Sequence, residues 1–103
     1  MALDGLPKDL MQAVFDTACL TGALSVRNFR RGDRFRPLGM KGRKKIKDLF
    51  IEKRVPLSMR AHWPLLAAGD EIVWIPGYGR SAAGRVSAAT KTVLRITARA
   101  IQG

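Results

Sequence analysis

Residues 27–54, with the sequence RNFRRGDRFRPLGMKGRKKIKDLFIEKR, decide how this chain is organised. They contain 12 of its 19 Lys and Arg residues but 3 of its 8 Asp and Glu residues, a net charge of +9 out of +11. The rest of the chain therefore carries only +2. Charge at this density predicts a surface that meets a polyanion, either a nucleic acid or an anionic membrane.

A turn and a short strand are predicted in the first part of this stretch. Gly32-Asp33 indicates the turn, because glycine readily adopts the positive φ that many turns require. The next three residues follow as a strand, with Phe35 between two arginines. Side chains alternate between the two faces of a strand, so an inward Phe35 would place Arg34 and Arg36 together on the outward face.

Residues 43–53 predict the clearest helix of the chain. Apolar residues recur there at i, i+3 and i+4, which gives one apolar stripe formed by Ile46, Leu49 and Phe50. Pro56 breaks this pattern, and residues 56–62 predict a second short helical turn.

A Gly-x-x-Gly loop, residues 39–42, lies directly before the predicted helix. We expect the basic residues 43–45 to open that helix, where the glycine backbone, the free first-turn amides and the helix dipole all favour a phosphate. Cations in a first turn oppose the dipole, which indicates a role other than helix stability. A basic face that meets only solvent is the alternative.

The segments before this stretch have a β character with one ambiguity. Residues 9–15 fit either a strand buried on both faces or a short helix, because their apolar residues follow no single period. Residues 23–27 alternate, and they predict a half-buried strand with Leu24 and Val26 on the inward face.

The segments after it are also predicted to be mostly β. The apolar run at residues 72–75 follows a Gly-Asp turn at residues 69–70, which indicates a hairpin. Residues 92–101 alternate most regularly and predict a strand. With 103 residues and 47% apolar residues, the chain fits one domain over residues 1–103. We predict an α+β fold, a small β-rich sandwich or barrel-like domain with one or two short helices and about five or six strands.

The sequence offers no set of residues for catalysis or metal binding. His62 and Cys19 are the only histidine and cysteine, so a Cys/His zinc site cannot be assembled. Asp33 and Asp70 each follow a glycine and are predicted to be turn residues. We expect no catalytic residue, no metal ligand and no cofactor in this domain. The single cysteine and the lack of an apolar run of about 18–20 residues favour an intracellular protein.

Three aromatic residues are candidates for stacking on bases. We expect Phe29 and Trp74 to lie in the core, and Tyr78, which sits between glycines, to be the more exposed of the three.

A longer pattern of residues resembles a known family. Its matching positions are Arg27, Gly32, Asp33, Arg34, Phe35, Pro37, Gly39, Gly42, Lys44, Lys45, Lys47, Asp48, Phe50, Val55, Pro56, Arg60, Pro64 and Gly77. In this spacing the chain resembles the C-terminal domain of bacterial tRNA(Ile)-lysidine synthetase, from about Gln12 to Ile101. The resemblance implies a fold similar to a domain in the β-subunit of phenylalanyl-tRNA synthetase.

The resemblance also implies a function. Members of this family use ATP to join lysine to the wobble cytidine of an isoleucine tRNA, in the cytoplasm. Their chemistry belongs to an N-terminal catalytic domain with a Ser-Gly-Gly-x-Asp-Ser loop, which this sequence lacks. The chain is therefore expected to be a non-catalytic fragment of an ATP-dependent ligase that grips tRNA(Ile), while ATP and Mg belong to the catalytic domain. Further expected partners are that catalytic domain and, in a homodimer, a second copy.

The residues and the resemblance together predict the contacts with nucleic acid. The nine positions are Arg27, Arg34, Arg36, Lys41, Arg43, Lys44, Lys45, Lys47 and Arg60. A non-catalytic module that docks its basic face on an acidic protein is the alternative. Binding to a membrane surface is a weaker alternative, because the apolar stripe of the helix is narrow and needed for the core.

Overall fold

The computed structural model describes residues 11–99. Within them the chain forms eight strands, two short α-helices and one 3-10 turn. In chain order these are β1 (Gln12–Asp16), the 3-10 turn (Thr17–Cys19), β2 (Leu24–Asn28), β3 (Arg34–Phe35), β4 (Lys44–Lys45), α1 (Ile46–Glu52), α2 (Leu57–Arg60), β5 (Pro64–Ala68), β6 (Glu71–Ile75), β7 (Gly79–Arg80) and β8 (Val93–Thr97). Neither α-helix is long and apolar enough to cross a membrane.

A four-stranded antiparallel sheet with the order β2-β5-β6-β7 forms the middle of the molecule. β5 and β6 make the predicted hairpin, in which Leu66 lies opposite Trp74 and Ala68 opposite Glu71. Two smaller antiparallel pairs, β1 with β8 and β3 with β4, complete the fold. The predicted α+β fold, a small β-rich domain with one or two short helices, is confirmed, although residues 11–99 form eight strands where about five or six were predicted.

One hydrophobic cluster covers the first face of the middle sheet. Phe35 of β3 and the stripe residues of α1 pack there against Leu65, Ala67, Ile72 and Ile75. The predicted stripe is confirmed, because Ile46, Leu49 and Phe50 are all buried. This packing brings β3, β4 and α1 onto one side of the sheet.

A second cluster covers the opposite face. Ala13 and Phe15 of β1 pack there with Leu66 and Val73, and Ile96 of β8 closes the cluster from its edge. Neighbouring β5 residues thus enter different clusters, so β5 and β6 are buried on both faces. Burial on both faces explains why these strands read as continuous apolar runs.

The two terminal predictions extend past the described residues. β1 resolves the ambiguity of residues 9–15 in favour of a strand, although residues 9 and 10 lie outside the described part of the chain. β8 confirms the alternating strand, with Leu94 and Ile96 half-buried. Residues 100 and 101 of that prediction also lie outside the described residues.

The inward face predicted for β2 is wrong. Leu24 and Val26 retain 39% and 70% of their accessible surface. β2 is an edge strand, and a cleft separates Val26 from Ile96 and the residues that follow it. The β1–β8 layer therefore does not cover β2, and alternation alone could not show this.

Candidate nucleic-acid interface

The turn before β3 is held by Asp33. Its carboxylate Oδ2 accepts a 2.7 Å hydrogen bond from the Arg30 amide, and its own amide donates to the Arg30 carbonyl. The predicted turn at Gly32-Asp33 is confirmed. Burial alone would raise the pKa of Asp33, but the hydrogen bonds from Arg27 and from the Arg30 amide lower it below its usual value.

Arg27 supports this turn from β2. Its guanidinium donates two hydrogen bonds to the Asp33 carboxylate, at 2.9 and 3.0 Å, and a third to the carbonyl of Asn28. Only 20% of its side chain is exposed. We predicted that Arg27 would contact nucleic acid, but the geometry gives its guanidinium a structural partner inside the domain.

The predicted helix start at residues 43–45 is wrong. Lys44 and Lys45 are extended and pair with β3, and the helix begins at Ile46. The amide of Ile46 donates a 2.9 Å hydrogen bond to the carbonyl of Asp33. The cross-strand hydrogen bonds of β3 outweigh the helical spacing of the following residues, and one amide at the helix start is already occupied. The predicted anion site, in which residues 43–45 open the helix and their free amides bind a phosphate, is therefore not formed.

The β3–β4 pair separates its side chains by face. Phe35 is buried and lies opposite Lys44, whereas the exposed Arg34 lies opposite Lys45. The prediction that an inward Phe35 places Arg34 and Arg36 outward is confirmed, since both arginines are exposed. Like charges directly opposite each other destabilise a sheet, so the pairing of Arg34 with Lys45 favours an anionic partner.

A surface groove, which we call the arginine groove, lies beside this outward face. Its volume is about 370 Å³. It is lined by Arg34, Arg36 and Arg43 together with Phe35, Asp70 and Glu71. The structure thus brings together three of the predicted contact residues, and it places two carboxylates next to them.

The loop before β4 has the predicted shape. Gly39 and Gly42 adopt φ values of 80° and 79°, and a Cβ atom at either position would have no neighbouring atom within 4 Å. The backbone conformation, not lack of space, therefore favours glycine there. Lys41 is exposed between them.

The remaining predicted residues are more dispersed. Lys44 forms an ion pair with Glu52, and this contact lowers the pKa of Glu52. Arg60 donates a 2.8 Å hydrogen bond to the carbonyl of Val55, so it links α2 to the segment that follows α1. Lys47 is exposed on α1.

The prediction that Trp74 lies in the core is confirmed, whereas Phe29 is only half-buried and packs against the core from outside it. Trp74 is buried, and Phe29 packs edge-on against Phe50 with ring centroids 5.7 Å apart. Tyr78 is half-buried, and its ring lies 5.1 Å from that of Trp63. Burial raises the pKa of Tyr78. Tyr78 therefore belongs partly to the core and offers little surface for a base.

Sequence reasoning missed the part played by Arg80. Its guanidinium lies 4.4 Å above the Phe15 ring and donates hydrogen bonds to the carbonyls of Val14, Ala83 and Ser81. It therefore links β7 to β1. The sequence carries no local signal of this contact, because 66 positions separate Arg80 from Val14.

Comparison with known proteins identifies the family. The family model of the TilS substrate C-terminal domain, which describes the sequences of that family, matches residues 24–97 of this chain. The tRNA(Ile)-lysidine synthase of Clostridium tetani is 44% identical over 90% of this chain, and that of Bacillus subtilis is 42% identical over 73%. The chain spans 20% and 16% of the length of these two relatives.

Solved structures agree in fold. The crystal structure of a TILS C-terminal domain is 32% identical, covers 86% of this chain and 72% of its own, and superposes with a TM-score of 0.71. An N-terminal fragment of the phenylalanyl-tRNA synthetase β-subunit from Pyrococcus horikoshii is 22% identical over 82% of this chain and 26% of its own, with a TM-score of 0.63, so it shares the fold. This chain therefore belongs to the family of the TilS substrate C-terminal domain, the C-terminal domain of tRNA(Ile)-lysidine synthases.

Proposed function

We propose that this domain binds tRNA for a tRNA(Ile)-lysidine synthase. The observation that carries the proposal is the outward face of β3 and β4, where Arg34 lies opposite Lys45 and shares a groove with Arg43. None of these three forms an ion pair with another residue of the described range 11–99. Phosphates of RNA would relieve their mutual repulsion.

The chemistry of this face suits an RNA duplex. Double-stranded RNA is recognised mostly by its shape, its phosphates and its 2′-hydroxyl groups. Arginine and lysine supply such contacts, whereas Phe29 and Trp74 pack into the protein and leave little aromatic surface for unpaired bases. We infer that a base-paired arm of the tRNA, such as the acceptor stem, lies on this face.

The whole protein would then carry out the ligation. We propose that it uses ATP and Mg to join lysine to the wobble cytidine of tRNA(Ile), with the chemistry in a catalytic domain of the same polypeptide. The domain described here would hold the substrate during that reaction. The cytoplasm is the compartment that this function requires.

A protein-docking function is the second candidate. Leu38 and Met40 retain 42% and 61% of their accessible surface and line one groove with Tyr78. Exposed apolar side chains that lie together favour contact with a protein surface, such as the catalytic domain. The homodimer stays a prediction, which sedimentation of the domain would test.

Competition binding separates the two candidates. The domain is titrated with tRNA and with heparin at matched salt concentrations, and the slope of log affinity against log salt is measured. For tRNA binding we expect a preference for tRNA and a slope of several units, at about 0.7–0.9 per phosphate contacted. Equal affinity for heparin and tRNA would contradict the proposal and favour docking on an acidic protein.

A further inference from the structure

We propose that Glu71 acts as a built-in competitor for a phosphate site in the arginine groove. Without RNA, its carboxylate holds the guanidinium of Arg36. When RNA binds, a backbone phosphodiester takes that guanidinium over. This inference rests on the proposed function. It adds that one part of the groove binds a backbone phosphate and that the Glu71 carboxylate limits the affinity for that phosphate.

The geometry of the ion pair allows such an exchange. Nε and Nη2 of Arg36 both lie 2.8 Å from the same oxygen, Oε2 of Glu71. The two side chains keep 50% and 31% of their accessible surface, so water and a ligand can reach them. Ion pairs this exposed are weak, whereas a phosphate can accept two parallel hydrogen bonds from one guanidinium.

The backbone around both residues is fixed, so the exchange needs only side-chain rotation. The carbonyl of Arg36 accepts a 2.9 Å hydrogen bond from the amide of Ala82, and Leu38 donates to the carbonyl of Arg80. Glu71 begins β6 and pairs with Ala68 across the hairpin. A phosphate therefore meets a positioned arginine and not a mobile loop.

The groove also favours one side for the phosphate. Arg34 and Arg43 line it with Arg36, and Asp70 lines it with Glu71. A phosphate between the three arginines is attracted, and one displaced towards the turn at residues 69–70 meets two carboxylates. The acidic side of the groove would thus set the position of the RNA backbone, at the cost of some affinity.

Substitution of Glu71 tests the proposal against a matched control. Glu71→Gln keeps the size of the side chain, removes one negative charge and releases Arg36. Asp48→Asn removes the same charge from an exposed residue of α1 that forms no ion pair within residues 11–99. We expect Glu71→Gln to tighten tRNA binding by roughly two- to fivefold, because an exposed ion pair contributes a free energy of about that size. Asp48→Asn should tighten binding clearly less.

A double-mutant cycle shows whether Arg36 is the partner. In an Arg36→Gln background, Glu71→Gln should bring a clearly smaller gain than it does in the wild-type background, because only the direct repulsion between the Glu71 carboxylate and the phosphate is then removed. An equal gain from Glu71→Gln and Asp48→Asn, or a full gain without Arg36, would overturn the competitor role. Circular dichroism and thermal unfolding of each variant exclude loss of folding as the cause.

The outcomes separate this inference from the proposed function. If the wild-type domain prefers tRNA and Glu71→Gln behaves like its control, only the competitor role fails. If heparin and tRNA bind equally but the coupling between Arg36 and Glu71 persists, the anion site stands and the proposed preference of the domain for tRNA fails. A wild-type domain that binds neither polyanion contradicts both.

Discussion

Arg27 and Asp33 form a bidentate ion pair, in which Nη1 of Arg27 lies 2.9 Å from Oδ2 of Asp33 and Nη2 of Arg27 lies 3.0 Å from Oδ1 of Asp33. The pair joins β2 to the turn before β3, and 13% of the Asp33 side chain is exposed. The carbonyl of Asp33 also accepts from the amide of Ile46, where α1 begins. One residue therefore sets the turn, the ion pair and the helix start.

Loss of Arg27 should cost stability more than tRNA binding. Arg27→Gln would leave the largely buried Asp33 carboxylate without its charged partner, and we expect a loss of about 1–3 kcal/mol in the free energy of unfolding, measured by urea denaturation. Arg31→Gln, at an exposed position of the same turn, is the control and should change stability by less than about 0.5 kcal/mol. A loss of tRNA affinity with unchanged stability would restore Arg27 to the binding surface.

The same ion pair predicts a dependence of stability on acid pH. The pKa of Asp33 in the folded state lies below its ordinary value of 3.8. The stabilisation is therefore present above pH 3.8, and it is lost as the pH falls below 3.8 through the lower folded-state pKa. Urea denaturation between about pH 7 and about pH 3 should show a shallower acid decline for Asp33→Asn than for wild type. Parallel declines would show that Asp33 does not contribute.

Neutralising Arg34 of β3 or Lys45 of β4, which lie opposite each other on the outward face, should have opposite effects on tRNA binding and on stability. Arg34→Gln or Lys45→Gln removes a repulsion between directly opposed cations, so we expect unchanged or slightly higher stability, by about 0.2–0.5 kcal/mol. Each change should weaken tRNA binding and lower the salt slope by about 1. Lys91→Gln, two residues before β8 in the layer on the other face, should leave the slope unchanged. Equal effects of all three variants would contradict a localised binding face.

Arg80 should contribute stability through its contacts with β1 and with the segment that follows β7. Arg80→Met keeps the apolar length of the side chain, but it leaves the carbonyls of Val14 and Ala83 without this donor and removes the cation above Phe15. We expect a loss of about 2 kcal/mol in the free energy of unfolding. The exposed Arg85→Met serves as the control, and thermal unfolding measures both. Equal melting temperatures for the two variants would contradict this role.

Local patterns predicted the parts of the fold whose causes are local. The Gly32-Asp33 turn, the apolar stripe of α1 and the continuous apolar runs of β5 and β6 follow from backbone preferences and from burial of apolar side chains. All three are present in the structure. The concentration of positive charge in residues 27–54 and the family pattern were also readable from the sequence alone.

Local patterns failed where a distant strand changed the outcome. Residues 43–45 have no local feature that prevents a helix, yet pairing with β3 makes Lys44 and Lys45 extended. Likewise Val26 alternates as an inward residue would, but within residues 11–99 no layer covers its side of β2. In both places the competing partner lies in another part of the chain, so a short sequence window does not contain it.

The sequence by itself determined the fold class, the family and the region that carries the charge. The tertiary structure decided which cations face a ligand and which hold the protein together. Arg36 meets Glu71 across 35 positions, while Arg27 meets Asp33 across a turn. The physical reason is that electrostatic partners are set by distance in space, and the packing of β3 against β6 fixes that distance only after the sheets have formed.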